Sequence, residues 1–273
     1  MPSAWRMLGA MAFDPDRLDR RDEHAIRALL PAVRALNAYY LRLRREGLEH
    51  VEAIAAEPAL LVSNHNGGIT GPDVACTLGT LWEVLGPDAP LYALAHDFAM
   101  RQLTPFGRLI QRYGAIRACP ENAMRALGSG AKVLVYPGGE LEAFRHSRRR
   151  NQIVLGDRVG FVRIAQRAGV PIVPIVAHGA HRSVLVLHEG EWIVRALRLD
   201  RIARVQRFPI ALALPWGLAV GPWTPYLPLP FPVRLRFLPP MRFSARDDPE
   251  RAQEIVRARM QAALDAMARE ERA

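Results

Sequence analysis

Lysine is almost missing from this chain. Lys132 is the only one, so 36 of its 37 basic side chains are arginine. Cysteine is nearly as scarce: Cys76 and Cys119 alone exclude a disulfide scaffold and a four-thiolate zinc site built by this chain. No Gly-x-Gly-x-x-Gly or Walker loop follows a strand-like run, which speaks against dinucleotide or ATP chemistry. Gly128-Ser129-Gly130 lacks the outer glycine spacing of a nucleophile elbow and reads as a turn. No basic-then-apolar leader opens the sequence, so a reducing, cytoplasmic setting is expected. Internal repeats and separating linkers are also absent, which points to one large domain in 273 residues.

What is present is positive charge. The formal net charge is +10. Base composition of the genome accounts for an Arg-for-Lys bias as well as function does, yet arginine also suits planar contacts with phosphate and carboxylate. Nucleic acid, an anionic membrane surface and an anionic small substrate are the partners such charge fits. Nucleic acid calls for aromatics interleaved with arginines. No recognised nucleic-acid-binding motif appears here, and no nucleic-acid partner is expected.

Residues 1–50 read as an N-terminal helical arm. Ile26, Leu29, Leu30, Val33, Leu36, Tyr40 and Leu43 fall near helical spacing, with Pro31 as a boundary or kink. Such an arm either packs on the domain or lies in the plane of a membrane. Residues 51–273 form the main domain. Apolar runs at 59–63, 91–94, 132–136 and 172–176 read as buried strands, with helical stretches near 73–85, 98–112, 121–128 and 159–168. This alternation predicts an α/β fold, a central mixed but mostly parallel sheet flanked by helices. Ligands of such sheets bind beyond the strand ends.

Residues 208–233 carry no charge over 26 positions. That is long enough to span a bilayer. Seven prolines argue against a span, because each removes a backbone donor that lipid cannot replace. The segment is expected to be partly extended, either covering the core or facing lipid. Val233 to Phe237 reads as a further strand and 249–269 as a C-terminal helix.

Two strand-to-loop junctions carry chemistry. The first runs Ser63-Asn64-His65-Asn66-Gly67-Gly68-Ile69-Thr70-Gly71-Pro72-Asp73. It places an imidazole at a sheet edge and Asp73 where the next helix begins. Asp73 is either a helix cap or the partner that orients His65 so that its other nitrogen accepts a proton from a hydroxyl. The second runs Pro137-Gly138-Gly139-Glu140-Leu141-Glu142 into Arg145. Its glycines let backbone approach a ligand, and Glu140 and Glu142 either accept from a polar head or sit at a helix's positive end. Arg145, Arg148, Arg149 and Arg150 form a phosphate clamp or a solvated loop.

In order, Asn64-His65 with Asp73, Gly114-Ala115-Ile116, Pro137-Gly138-Gly139 with Glu142-Ala143, Gly160 to Ala165 and Gly169 to Pro174 resemble the lysophospholipid and glycerolipid acyltransferase superfamily. The resemblance covers about residues 58–180 and is nearest to the Pro-Gly-Gly branch, which includes diacylglycerol acyltransferase type 2. It implies acyl transfer from a thioester, acyl-CoA or acyl carrier protein, to a lipid hydroxyl at the cytoplasmic face of a membrane. It implies no further cofactor. It makes His65 the general base with Asp73, and Gly138, Gly139 and Glu142 the acceptor-binding motif; Asn64, Gly67, Gly68, Pro137, Glu140, Arg117 and Arg145 are further candidate substrate contacts, Arg117 without a direct match to the family's arginine. Two positions depart from the commoner pattern: Thr70 stands five after His65, and Pro120 stands where phosphate-accepting members carry arginine. The first suits the wider Gly-Gly-containing loop of the Pro-Gly-Gly branch, with Asp73 eight after His65; the second weakens lysophosphatidic acid as acceptor and leaves a neutral or unusual acceptor open.

Attack on a thioester builds charge on the carbonyl oxygen, and the glycine-rich loop after His65 is the expected source of amide donors. A non-catalytic lipid-binding module is the alternative, and it would need neither His65 nor Asp73. His178, His181, His188, Glu189 and Glu191 cluster in sequence, but without a helical or third-ligand spacing they read as a loop and no metal is expected. Cys119 reads as a small buried apolar residue.

Overall fold

Strand β2 (Ala59–Ser63) is buried at every position. An unbroken apolar run of this length, Ala-Leu-Leu-Val, is what a strand covered on both faces requires. The computed structural model describes residues 13–68, 71–199, 205–221 and 226–272. Residues 1–12 of the expected arm, Ile69 and Thr70 of the His65 loop, and Pro222 and Pro225 of the uncharged segment lie outside them.

Around β2 lie β1 (Arg44–Glu46), β3 (Leu91–Ala95), β4 (Ala115–Arg117), β5 (Lys132–Val135), β6 (Ile172–His178) and β10 (Arg234–Phe237), in the order β1-β10-β6-β2-β5-β3-β4. β2, β3, β4, β5 and β6 run parallel; β10 is antiparallel to β6 and parallel to β1. The mixed, mostly parallel sheet is the expected one. Its five parallel strands send their carboxyl ends to one edge, where the loops after β2 and β5 meet.

Alternation along the strands sorts the core into two layers. Leu60, Val62 and Val133 pack with α5 (Pro120–Gly128), α7 (Gly160–Ala168) and α9 (Pro249–Glu270) on one face. Leu61, Leu134, Val173 and Ile175 pack on the other with α1 (Glu23–Ala35) and α3 (Pro72–Leu85). The stretch expected as an arm is therefore built into the domain from Glu23 onward: Ile26, Leu30 and Leu41 are core residues, and α1 runs on through Pro31. Its apolar side is spent on protein rather than offered to lipid. β1, from the same stretch, extends the main sheet.

The uncharged segment contributes two strands, β8 (Ile210–Ala213) and β9 (Gly217–Val220), which pair antiparallel with each other and, through β8, with β7 (Leu185–His188). This second sheet follows the carboxyl end of β6. Among the described residues no helix is long and apolar enough to cross a membrane.

Candidate active site

His65 leaves the end of β2 on a backbone held from two sides. From β6, Ala177 pairs with Asn64: its N–H donates to Asn64 Oδ1 (2.7 Å), and its carbonyl accepts from Asn64 Nδ2 and Asn66 Nδ2 at 3.0 Å each. From the second junction, Glu142 Oε2 accepts the His65 N–H at 2.9 Å. Arg145 donates to the His65 carbonyl at 3.0 Å and to Asn66 Oδ1. Few degrees of freedom remain to the imidazole.

The ring is oriented by Asp73, whose Oδ2 lies 2.9 Å from His65 Nδ1 and accepts the Asn66 N–H at 2.9 Å. Asp73 occupies the first turn of α3, behind Gly71 and Pro72. Proline suits a helix start because its missing donor is not needed there. A Cβ on Gly71 would fall 2.3 Å from Asp73 Oδ1 and 2.5 Å from the Asn66 carbonyl, so only glycine fits. The carboxylate is fully buried. The helix's positive end, the Asn66 amide and the imidazole compensate its charge. Neutral His65 then carries its proton on Nδ1 and leaves the Nε2 lone pair free. Burial pushes the His65 pKa down, but the Asp73 carboxylate outweighs it and the net shift is upward. The imidazole keeps 17% of its surface exposed and stacks at 43° on Tyr136, 4.9 Å between centroids.

The second junction supports His65 rather than presenting acidic groups to a ligand. Glu142 is fully buried at the end of the short helix α6 (Gly139–Ala143); its Oε1 accepts the Val154 N–H at 2.9 Å while Oε2 holds His65. Burial pushes its pKa up, against the pull of Arg145. Gly138 must lack a side chain, since a Cβ would meet Glu142 Cγ and the Val154 carbonyl at 2.4 Å each. Gly139, at φ +49°, lies under Arg158, which donates to the Pro137 carbonyl at 2.9 Å. Glu140 accepts from the Gln206 N–H at 3.1 Å, and burial raises its pKa.

Several expected substrate contacts have other partners. Arg145 is completely buried and uses every donor on protein: the carbonyls of His65, Glu142, Arg149 and Arg150, and Asn66 Oδ1. It clamps the two junctions together, and all of its donors are taken up by protein acceptors. Arg117 is held bidentate by Asp16 at 2.7 and 2.8 Å, across the edge strand β4. Asn64 is bound to β6, as above. The loop amides are likewise engaged: His65 to Glu142, Asn66 to Asp73, Gly67 to His181 Nδ1 at 3.4 Å and Gly68 to the Ala143 carbonyl at 3.0 Å. These four amides, expected as donors to a developing oxyanion, thus have acceptors within the protein.

Sequence reasoning gave no site role to Tyr136, Arg158 and Tyr226, and read His181 only as part of a loop. His181 is buried between the Gly67 amide and the Arg145 carbonyl (3.0 Å), and burial with Arg145 nearby pushes its pKa down to about 3. It is a neutral structural imidazole. Tyr226 sits against the site of a Gly68 Cβ, which would lie 2.8 Å from its hydroxyl. No signal in the chain marks these four, because their roles come from neighbours distant in sequence.

An apolar cavity of about 420 Å3 opens on the α7 side of the sheet, walled by Leu60, Leu94, Val135, Phe161 and Ile164, with Pro137 at its rim. Its size is within the range of about 300–1,000 Å3 usual for small-molecule sites. Val135 faces the cavity while the next residue, Tyr136, faces His65, so the cavity and the imidazole adjoin opposite faces of one strand end. Cys119, expected as buried, is half-buried in this wall.

A family model described as acyltransferase matches residues 42–178. An uncharacterized protein of Mycobacterium tuberculosis is 27% identical over 223 residues, 79% of this chain and 61% of that protein. Diacylglycerol O-acyltransferase 2 of Homo sapiens is 33% identical over 141 residues, 47% of this chain and 35% of that enzyme. The chain thus spans less than two thirds of the length of these relatives. The crystal structure of the 1-acyl-sn-glycerophosphate (LPA) acyltransferase PlsC from Thermotoga maritima matches with a TM-score of 0.53 and 14% identity, over 90% of this chain and 82% of that one. At that identity the likeness concerns the fold alone.

Proposed function

The chain belongs to the acyltransferase family, and we propose that it moves a fatty acyl group from a thioester, acyl-CoA or an acyl carrier protein, to the hydroxyl of a glycerolipid or other lipid alcohol. One observation carries the reading: a partly exposed imidazole whose Nδ1 is held 2.9 Å from a buried carboxylate, at the carboxyl edge of a parallel sheet. In this mechanism His65 Nε2 takes the proton of the acceptor hydroxyl as its oxygen attacks the thioester carbonyl. Asp73 steadies the imidazolium that forms. Collapse of the tetrahedral intermediate breaks the carbon–sulfur bond, and the thiolate recovers the proton from His65. Ester and thiol are the products.

The apolar cavity is suited to the acyl chain, since its walls are aliphatic and aromatic and Pro137 joins it to the second junction. Arg117 and Arg145 both have protein partners and Pro120 replaces an arginine, which supports an acceptor without a phosphate. A lipid acceptor implies work at a membrane surface, and the two free thiols suit its cytoplasmic side.

The test is purified protein with mixed acyl-CoAs and a total lipid extract, followed by mass spectrometry for new esters, with His65→Ala as the blank. New esters with the wild-type chain alone are expected. Equal ester formation by His65→Ala would remove His65 from the chemistry, and none with either acyl-CoA or acyl carrier protein donors would overturn the activity.

A further inference from the structure

An antiparallel sheet with one face on a core ordinarily turns polar side chains to water on the other. The β7–β8–β9 sheet does not. Its inner face is small and buried: Val184, Val186, Ala211, Ala213 and Ala219. Its outer face alternates with these and is apolar as well. Leu185, Leu212 and Leu218 stand in one cross-strand row, each between 44% and 59% exposed, and Val220 lies in the next row. Leu187 on β7 and Leu214 just beyond β8 widen the patch, and Trp216 stands exposed at the β8–β9 turn. Contiguous apolar area of this kind marks an interaction surface rather than ordinary surface variation.

The border of the patch is cationic. Ser147 ties the outward loop to β7, its hydroxyl accepting the Val186 N–H at 2.8 Å, and Arg148 and Arg150 beside it are exposed. After β7, α8 (Glu191–Ala196) carries exposed Trp192 and Arg195, followed by Leu197 and Arg198. The nearby acids are already neutralised: Glu189 pairs with Arg149 and Arg207, and Glu191 with Arg207. Leucine and valine in the middle, tryptophan at the margin and arginine around it match the layering of a bilayer, with hydrocarbon inside, interface next and anionic headgroups outside.

The patch is also mechanically joined to the candidate active site. Tyr226 packs on the inner face of this sheet and against Gly68 of the His65 loop, and Ser183, just before β7, lies 2.8 Å from where a Gly67 Cβ would be. We propose that the outer face of the β7–β8–β9 sheet docks into the interfacial layer of an anionic lipid bilayer and so sets the His65 loop at the membrane surface. This deepens the reading above, since it rests on a lipid acceptor, and it assigns membrane contact to this sheet instead of the N-terminal helix.

The full chain is tested by co-sedimentation with vesicles of phosphatidylcholine, with and without phosphatidylglycerol, beside Leu212→Glu/Leu218→Glu. Binding that favours anionic vesicles is expected, together with at least a tenfold weaker partition of the double variant. Its far-UV spectrum and its acylation of a water-soluble short-chain alcohol should be unchanged. His65→Ala should bind vesicles like the wild-type chain. That combination separates the two ideas: absent ester formation with variant-sensitive binding sinks the enzyme and leaves the docking face. Wild-type-like binding by the double variant overturns the docking face. So does a wild-type dimer that the variant dissolves without loss of vesicle binding, which would give the patch to a second copy. Should the double variant fail to fold, quenching of Trp216 emission by brominated lipid, read against Trp216→Phe, decides the matter in the wild-type chain: no quenching overturns the proposal.

Discussion

Two neighbouring regions treat polarity in opposite ways. Around His65, charged and amide side chains turn inward: Asn64, Asp73, Glu142 and Arg145 are fully buried, and Asn66 nearly so. In the β7–β8–β9 sheet, leucines and valine turn outward instead. The two meet at Tyr226, which touches both. Burying charge costs several kcal/mol unless partners replace water, and exposing aliphatic area forgoes about 25 cal/mol per Å2. A fold that accepts both in adjacent places is spending stability on something other than folding. One region fixes an imidazole in space, which the proposed function uses as a base, and the other presents the apolar face proposed to meet the lipid.

The largest expected effect falls on the inward-turned region. His65→Ala should lower ester formation by about 10²–10⁴-fold, with thermal midpoint and vesicle binding retained. A folded variant of undiminished turnover would dissolve the contrast, leaving a buried polar network with no chemical task.

Breaking the clamp comes next. Arg145→Met leaves five buried acceptors without their donors and removes the positive charge that opposes the burial of the Glu142 carboxylate, and should cost about 3–5 kcal/mol in urea unfolding. Arg148→Met, on the exposed loop, should stay within about 0.5 kcal/mol. Similar small losses at both positions would return Arg145 to the role of a solvated ligand contact.

Asp73→Asn sharpens the electrostatics. In the wild-type chain the carboxylate raises the His65 pKa above its ordinary value near 6.5. A general base must be neutral, so kcat/KM should climb with pH through a midpoint above that value. With asparagine the raising charge is gone while burial still favours the neutral ring. The midpoint should therefore fall, and the rate at high pH should drop by about 10²-fold. An unmoved midpoint would show that another group governs the profile.

The smallest effect belongs to the rim of the outward-turned region. Raising salt from about 0.1 to 1 M shortens screening from about 10 to 3 Å. Binding to anionic vesicles should weaken severalfold in a sedimentation titration, while the part due to leucine burial persists. Complete insensitivity to salt would leave the arginines without a share in docking.

Much of this was legible in the chain. The buried strands at 59–63, 132–136 and 172–176 appear as apolar runs because both faces of each are covered. Asp73 was readable as a helix start because Gly71-Pro72 precede it, and the structure begins α3 at Pro72. Arg145 was not legible. Next to three more arginines it has the pattern of a solvated or phosphate-binding loop, and only the return of that loop toward β2 surrounds it with five acceptors. The partners of the loop amides were not legible for a related reason: a flexible backbone lets amides point at a ligand or at protein, and nothing local decides between them. Residues 208–233 announced their lack of charge and their prolines, yet an alternation of alanine with leucine does not say which face will meet the core.

By itself the order of residues determined the strands, the helices between them and the presence of one histidine and one aspartate at a strand-to-helix junction, because these depend on short-range periodicity and backbone preference. Which groups are spoken for was decided only by tertiary contact. Hydrogen bonds over 77 and 113 residues of separation hold His65 and Asn64, and the pairing of β7 with β8 turns a row of leucines away from the core. A donor is free or engaged, and a face inside or outside, only with respect to what lies across from it.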